Sequence, residues 1–262
     1  MIGVFDSGMG GLTFLKQFTQ DLEEYSFVYL GDNARTPYGN KSQEVIYEYT
    51  RQGVEFLFEK GCQLVILACN TASAEALRRI QQELLPQKYP DKKVLGVIVP
   101  IAEGAVQSLN YDPKKNKIGI IGSRSTVESE AYERELKKLN PEVEIHSKAT
   151  PLLVPLVEEG WIKRRETKMI LRYYLKEMKH TKINTLILGC THYPVLHEVI
   201  QGIMGPQIKV LDGPKNVSLK LNDYLSRHQE VEEKLEKQRE RIFYTTDDPE
   251  RFKSIGQRFY KN

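Results

Sequence analysis

Two short stretches of this 262-residue chain repeat one pattern, and that repeat most narrows the folds open to it. Leu64-Val65-Ile66-Leu67-Ala68 is an apolar run followed by Cys69-Asn70-Thr71-Ala72-Ser73. Thr185-Leu186-Ile187-Leu188-Gly189 is a second run, followed by Cys190-Thr191-His192-Tyr193-Pro194. The hexapeptide from Ile66 to Thr71 aligns with that from Ile187 to His192 without a gap. Each apolar run is too short for a helix and reads as a buried strand of a parallel sheet. Composition turns helical from Ala72 to Leu85, with Asn70 or Thr71 as the N-cap. Pro194 suits the first turn of a second helix. Each cysteine then falls between the carboxyl end of a strand and the amino end of a helix, where open α/β sheets bind ligands. Backbone amides and the positive helix end favour a thiolate there. One such cysteine is most simply inert core, since free cysteine is among the most buried residue types. Two in matching turns point to function.

The rest of the chain alternates strands with helices. Ile2-Gly3-Val4-Phe5 reads as a strand, Asp6-Ser7-Gly8-Met9-Gly10-Gly11 as a turn, and Leu12 to Phe18 as a helix. Such a turn can cradle an anion with its N–H groups. It is not a dinucleotide fingerprint, because Thr13 stands where the third glycine belongs, and it lacks the Gly-Lys-Ser/Thr of a phosphate loop. A small ligand carboxylate is the expected guest, with Asp6 either a site residue or a cap of its own turn. Phe27 to Leu30 is a second strand. The loop Ala34 to Asn40 after it places Pro37, Tyr38 and Gly39 where binding loops belong, and Gly39 lets a ligand approach the backbone.

Ser42 to Glu59 is an expected helix, closed by Gly61. Cys62 follows away from the ligand edge and reads as structural. Val94 to Val99 is an expected strand ended by Pro100, Ile101 to Leu109 a helix, and Asn110 to Lys117 a charged turn. Lys117 to Gly122 is a strand, Ser123 to Leu139 a helix and Val143 to His146 an edge strand. No function is set on His146. Glu158 and Glu159 end an apolar helical segment, and the residues alone do not select which reaches a cleft. After the second cysteine come a helix from Val195, a strand from Ile208, a helix from Asp212, a solvated mixed-charge run from Gln229 to Arg241, a strand to Thr246 and a last helix capped by Asp247-Asp248-Pro249.

This alternation predicts the α/β class: two similar domains, each a parallel sheet flanked by helices, with the active site in the cleft between them. The expected division is residues 1–93 plus 207–262 for the domain carrying Cys69, and 94–206 for that carrying Cys190. A formal net charge of +3 is too small to argue for nucleic acid. Three cysteines imply no disulfide framework and fit a reducing cytoplasm. The amino terminus enters a strand directly, so no signal peptide is expected. The longest apolar runs fall well short of the roughly 18 residues of a membrane span. The partner expected is a small-molecule substrate, with a homodimer left open and no metal assigned.

Two thiols from opposed domains suit two faces of one substrate carbon: one thiolate takes a proton as the other thiol gives one, and configuration inverts. The proton α to an amino-acid carboxylate is very weakly acidic, and enzymes usually meet this with pyridoxal phosphate. No lysine context for that cofactor stands out. The site must then stabilise a carbanion by excluding water and aiming donors. A free thiol of pKa about 8.5 needs help at neutral pH. Asp6 beside Cys69 and His192 beside Cys190 are the candidates, while Asn70, Thr71 and Thr191 offer donors to the substrate.

These motifs resemble the glutamate racemase family, within the aspartate/glutamate racemase superfamily. The resemblance rests on Phe5-Asp6-Ser7-Gly8 with Gly10-Gly11, Gly31-Asp32 through Pro37-Tyr38-Gly39, the two cysteine motifs, and Tyr244-Thr245-Thr246-Asp247-Asp248-Pro249, in the family's order along most of the chain. It implies cofactor-independent interconversion of L- and D-glutamate, supplying D-glutamate for peptidoglycan. It implies Cys69 and Cys190 as the acid/base pair, acting on D- and L-glutamate respectively. It implies substrate-binding roles for Asp6, Ser7, Pro37, Tyr38, Gly39, Asn70, Thr71, Thr191 and His192, and assigns assistance of the second thiol to Glu158. Ser123-Arg124-Ser125-Thr126 departs from the family's small-residue and threonine pattern, and no ligand role is assigned there. The alternatives are an aspartate racemase of the same superfamily, a dithiol redox switch joining Cys69 to Cys190, and a non-catalytic amino-acid-binding module.

Overall fold

Apolar runs that cannot cover their own faces stack side by side, and here they do so as two sheets, each wholly parallel. The computed structural model describes residues 1–109 and 116–260. The first sheet contains β1 (Ile2–Asp6), β2 (Phe27–Gly31), β3 (Leu64–Leu67), β4 (Lys93–Gly96) and β9 (Arg241–Thr245), in the order β4-β3-β1-β2-β9. The second contains β5 (Lys117–Gly122), β6 (Glu144–Ala149), β7 (Thr185–Gly189) and β8 (Lys209–Val210), in the order β6-β5-β7-β8. Every residue of β1, β2, β3 and β7 is buried, as strands covered on both faces must be. The edge strands β6 and β9 are only partly buried.

The strand order sets where a ligand belongs. From β1 the chain moves one way to β2 and the other way to β3. From β5 it moves one way to β6 and the other way to β7. Each reversal leaves a crevice at the strands' carboxyl ends. Asp6 and Cys69 leave the first sheet at its crevice, and Ser123 and Cys190 leave the second at its own. One buried apolar cluster runs from Ile2 and Val4 through Ile98 and Ile101 to Ile120 and Leu186, joining the two units behind these crevices.

Several expected boundaries shift. β4 pairs with β3, so Lys93–Gly96 belongs to the first sheet, and β8 pairs with β7, so Lys209–Val210 belongs to the second. Ile98 and Val99 belong to the helix Ile98–Gln107 rather than to a strand. Pro100 sits in that helix's first turn, where its missing N–H costs nothing. The segment after the first cysteine is a succession of short helical pieces beginning with Asn70–Glu75. The helix expected over 123–139 is two, Arg124–Glu128 and Ala131–Leu139, divided at Glu130, whose φ is +54°. Most of the turn expected at 110–117, residues 110–115, lies outside the described residues. Among the described residues no helix is long and apolar enough to cross a membrane.

Candidate active site

Cys69 is itself the N-cap of the helix Asn70–Glu75, in place of Asn70 or Thr71. Its Sγ accepts from the Ala72 amide at 3.4 Å and lies 3.3 Å from Ser7 Oγ. The thiol is only 5% exposed. Burial pushes its pKa up to about 12, the Asp6 carboxylate adds to the rise, and Ser7 and the Ala72 amide oppose it. Asp6 ends β1, next to β3, and is completely buried. Gly8 donates its amide to Asp6 Oδ2 at 3.1 Å. Burial raises this carboxyl as well, against the pull of the positive charge on His192.

Cys190 is half-buried and lives in different company. A 3₁₀ turn, Tyr193–Leu196, separates it from the helix His197–Met204, so no helix caps on its sulfur. Its Sγ is 4.0 Å from His192 Nδ1, and His192 Nε2 is 3.0 Å from Glu158 Oε1. Glu158 is the last residue of the helix Leu153–Glu158, while Glu159 is exposed. Burial disfavours a charged imidazole, but the hydrogen bonds to Cys190 and Glu158, with their charges, outweigh it and push His192 up to about 10. For Glu158, burial works to raise the carboxyl, and the hydrogen bond and charge of His192, with Arg251, bring it below its usual value.

Both thiols line one cavity of about 220 Å³, a size for a small metabolite. Ser7, Pro37, Tyr38, Gly39, Asn70, Thr71, Thr191, His192 and Glu158 line it with them. Asp6 does not. It is completely buried, with Oδ2 on the Gly8 amide and Oδ1 without a hydrogen-bond partner among the described residues. The glycine turn is likewise less a carboxylate seat than a packing surface. Of that turn only Ser7 lines the cavity, while a Cβ on Gly10 would stand 2.3 Å from Thr191 Oγ1 and 2.5 Å from His192 Nδ1. Thr13 Oγ1 bonds the Thr191 carbonyl at 3.1 Å, so the two units meet at the Cys190 turn itself. A larger open groove, about 650 Å³, runs along Lys168, Arg172 and Lys176, but it holds no thiol and none of the expected residues.

Polar groups around the cavity are held by a second layer. Tyr132 donates to Asn70 Oδ1 at 2.5 Å, and Asn70 Nδ2 is buried with no hydrogen-bond partner among the described residues. Such a donor is costly unless a ligand completes it. Tyr38 and Thr246 donate to Asp32, which also pairs with Arg35 at 2.7 Å, and this fixes the Pro37-Tyr38-Gly39 turn. That turn rests on the other unit: a Cβ on Gly39 would be 2.5 Å from Ser123 Cβ. Thr71, Ser123 and Thr126 form a hydroxyl triangle with sides of 2.9 to 3.0 Å. Ser123 and Arg124 line the cavity although the sequence reading left them out. Their signal was the same as for the cysteines, since Ser123 directly follows strand β5 at a sheet reversal. Among the described residues no lysine lines the cavity.

The family profile described as Asp/Glu/Hydantoin racemase matches residues 11–216. A glutamate racemase of Geobacter metallireducens is 38% identical over 258 residues, covering 98% of this chain and 92% of that protein. The glutamate racemase of Francisella tularensis, solved in complex with D-glutamate, superposes with a TM-score of 0.87 at 35% identity, covering 100% of this chain and 93% of that one. A glutamate racemase isoform from Bacillus anthracis gives 0.89 at 33%, covering 100% and 94%. The Picrophilus torridus aspartate racemase, at 18% identity and a TM-score of 0.55, covers 86% of this chain and 94% of that one and shares the fold alone. Profile, relatives and structures converge with the geometry: this chain belongs to the Asp/Glu/hydantoin racemase family.

Proposed function

We propose that this racemase interconverts L- and D-glutamate by a two-thiol proton transfer at Cα and supplies D-glutamate for peptidoglycan. The observation that carries the reading is one cavity of about 220 Å³ lined by two cysteines, each delivered by the carboxyl end of a central parallel strand. The two sheets are taken as two domains whose crevices face each other across it.

In this reading the α-carboxylate satisfies Asn70 Nδ2 and takes the hydroxyls of Thr71 and Thr191. Gly39 receives the distal end of the substrate. The thiolate of one cysteine removes the Cα proton. The electron pair left on carbon is spread into the carboxylate, and the other thiol protonates the opposite face. Cys69, with its pKa near 12, rests as a protonated thiol and is set up as the acid. Cys190 sits 4.0 Å from a histidine held positive at neutral pH. With Cys190 as the base and Cys69 as the acid the turnover is that of L-glutamate, and the reverse direction exchanges the two roles. Glutamate is favoured over aspartate as substrate because relatives at 38–43% identity, matched over 86–98% of this chain, carry the glutamate racemase name.

The test is solvent exchange. Incubated in deuterium oxide without added cofactor, the protein should place deuterium at Cα of glutamate while the optical rotation decays. Glutamate of either hand recovered with its Cα proton intact would refute the proposal.

A further inference from the structure

Glu158 and His192 belong to the unit of the second sheet, yet a helix of the first unit closes on them from behind. The helix Pro249–Tyr260 follows β9 and packs against the helix Leu12–Asp21. Its Phe252 ring lies 6.0 Å from that of Tyr29 on β2. Its last residue is tied to the same unit, with Tyr260 OH 3.4 Å from Thr19 Oγ1 and the Tyr260 ring edge-on to Phe243 at 5.7 Å. Between these anchors, Arg258 and Phe259 reach the other unit.

Phe259 is buried and meets the His192 ring in a T-shaped contact, with centroids 5.2 Å apart and planes at 81°. Arg258 donates from its guanidinium to the backbone carbonyl of Glu158. That carbonyl ends the helix Leu153–Glu158, where a cation also complements the helix dipole. The chain makes room for the guanidinium with Gly160, at φ +76°, where a Cβ would come within 3.2 Å of it. On the Cys69 side the two groups that touch the sulfur, Ser7 and Ala72, come from its own unit, while the neighbouring Asn70 and Thr71 take Tyr132, Ser123 and Thr126 from the other.

We propose that Arg258 and Phe259 are positioning residues for the Cys190 half of the reaction. Arg258 holds the end of the helix that carries Glu158. Phe259 fixes the His192 ring and keeps water from the Glu158–His192 bond. These two residues ride on one unit and their targets on the other, so the support of the second thiol is built across the two units. The inference rests on the two-thiol reading above.

The test uses both enantiomers of a glutamate analogue bearing a leaving group on Cβ. A single thiolate takes the Cα proton, the C–H electron pair becomes the Cα–Cβ double bond, and the leaving group departs with its own bonding pair. Each enantiomer therefore reports one thiol, and Cys190→Ser identifies which reports Cys190. Arg258→Ala should slow elimination from that enantiomer by about 10- to 100-fold and change the other by no more than about twofold. Arg258→Lys should restore most of the loss, and Phe259→Leu should show the same one-sided pattern more weakly. Equal slowing of both enantiomers, or slowing of neither, in Arg258→Ala would overturn the inference while leaving racemisation by the unmodified protein to stand. If the unmodified protein neither eliminates nor racemises, the proposed function falls and takes this inference with it.

Discussion

The two cysteine turns start alike and end differently. Each sulfur follows a fully buried central strand, at the point where its sheet reverses direction. Cys69 then caps a helix and is sealed in beside the buried carboxyl of Asp6, and both burial and that neighbour favour the neutral thiol. Cys190 is followed by a 3₁₀ turn, stays half-exposed, and has a histidine and a glutamate in line behind it. One architecture thus yields two electrostatic settings. Inverting a carbon needs an acid on one face while a base works on the other, so unequal settings for equal thiols are what the chemistry asks for.

The largest effect that would break this comparison comes from the sulfurs. Cys69→Ser or Cys190→Ser should each lower racemisation by about 10³-fold or more, in both directions, because either enantiomer needs both thiols. Polarimetry from pure L- and pure D-glutamate measures this, and substantial turnover by either variant would contradict equal necessity. Next comes His192→Asn, which should cost about 10- to 100-fold through the Cys190 half alone. A matching loss in elimination by Cys69 would erase the asymmetry. Asn70→Ala should act mainly on binding, raising KM by about tenfold for the loss of one buried, ligand-completed donor. A pure kcat effect would move Asn70 out of the binding role.

The smallest effect is in stability. The folded pKa of His192, about 10, lies above its ordinary 6.5, so its pairing stabilises the fold fully below about pH 6.5 and that contribution is lost as pH rises through about 10. The stability gap between the unmodified protein and His192→Asn, followed by urea unfolding, should therefore shrink between pH 7 and 10. A gap that widens with pH would reverse the sign assigned to this site.

Much of this was legible in the residues because it depends on local rules. Short apolar runs ending in a small residue and a polar turn have few ways to fold, and β3 and β7 formed as expected, with Cys69 and Cys190 at their ends. Contacts between segments distant in sequence were not legible. That Gly10 serves to admit Thr191 and His192, and that Ser123 supports Gly39, depends on how two units are set against each other. Asp6 was placed beside Cys69 by strand order, but its complete burial outside the cavity lining depends on packing that no single motif records. The residues alone left Glu158 and Glu159 open and the family resemblance chose Glu158; the physical reason is where the helix ends, so that Glu158 meets His192 while Glu159 is exposed.

The central claim is that each sulfur serves one face of the substrate carbon. The most direct measurement is elimination from each enantiomer of the Cβ-substituted glutamate analogue by Cys69→Ser and by Cys190→Ser, four rates in one assay. Complementary pairs are predicted, with each variant silent toward one enantiomer and active toward the other. Two variants silent toward the same enantiomer, or each equally impaired toward both, would contradict it.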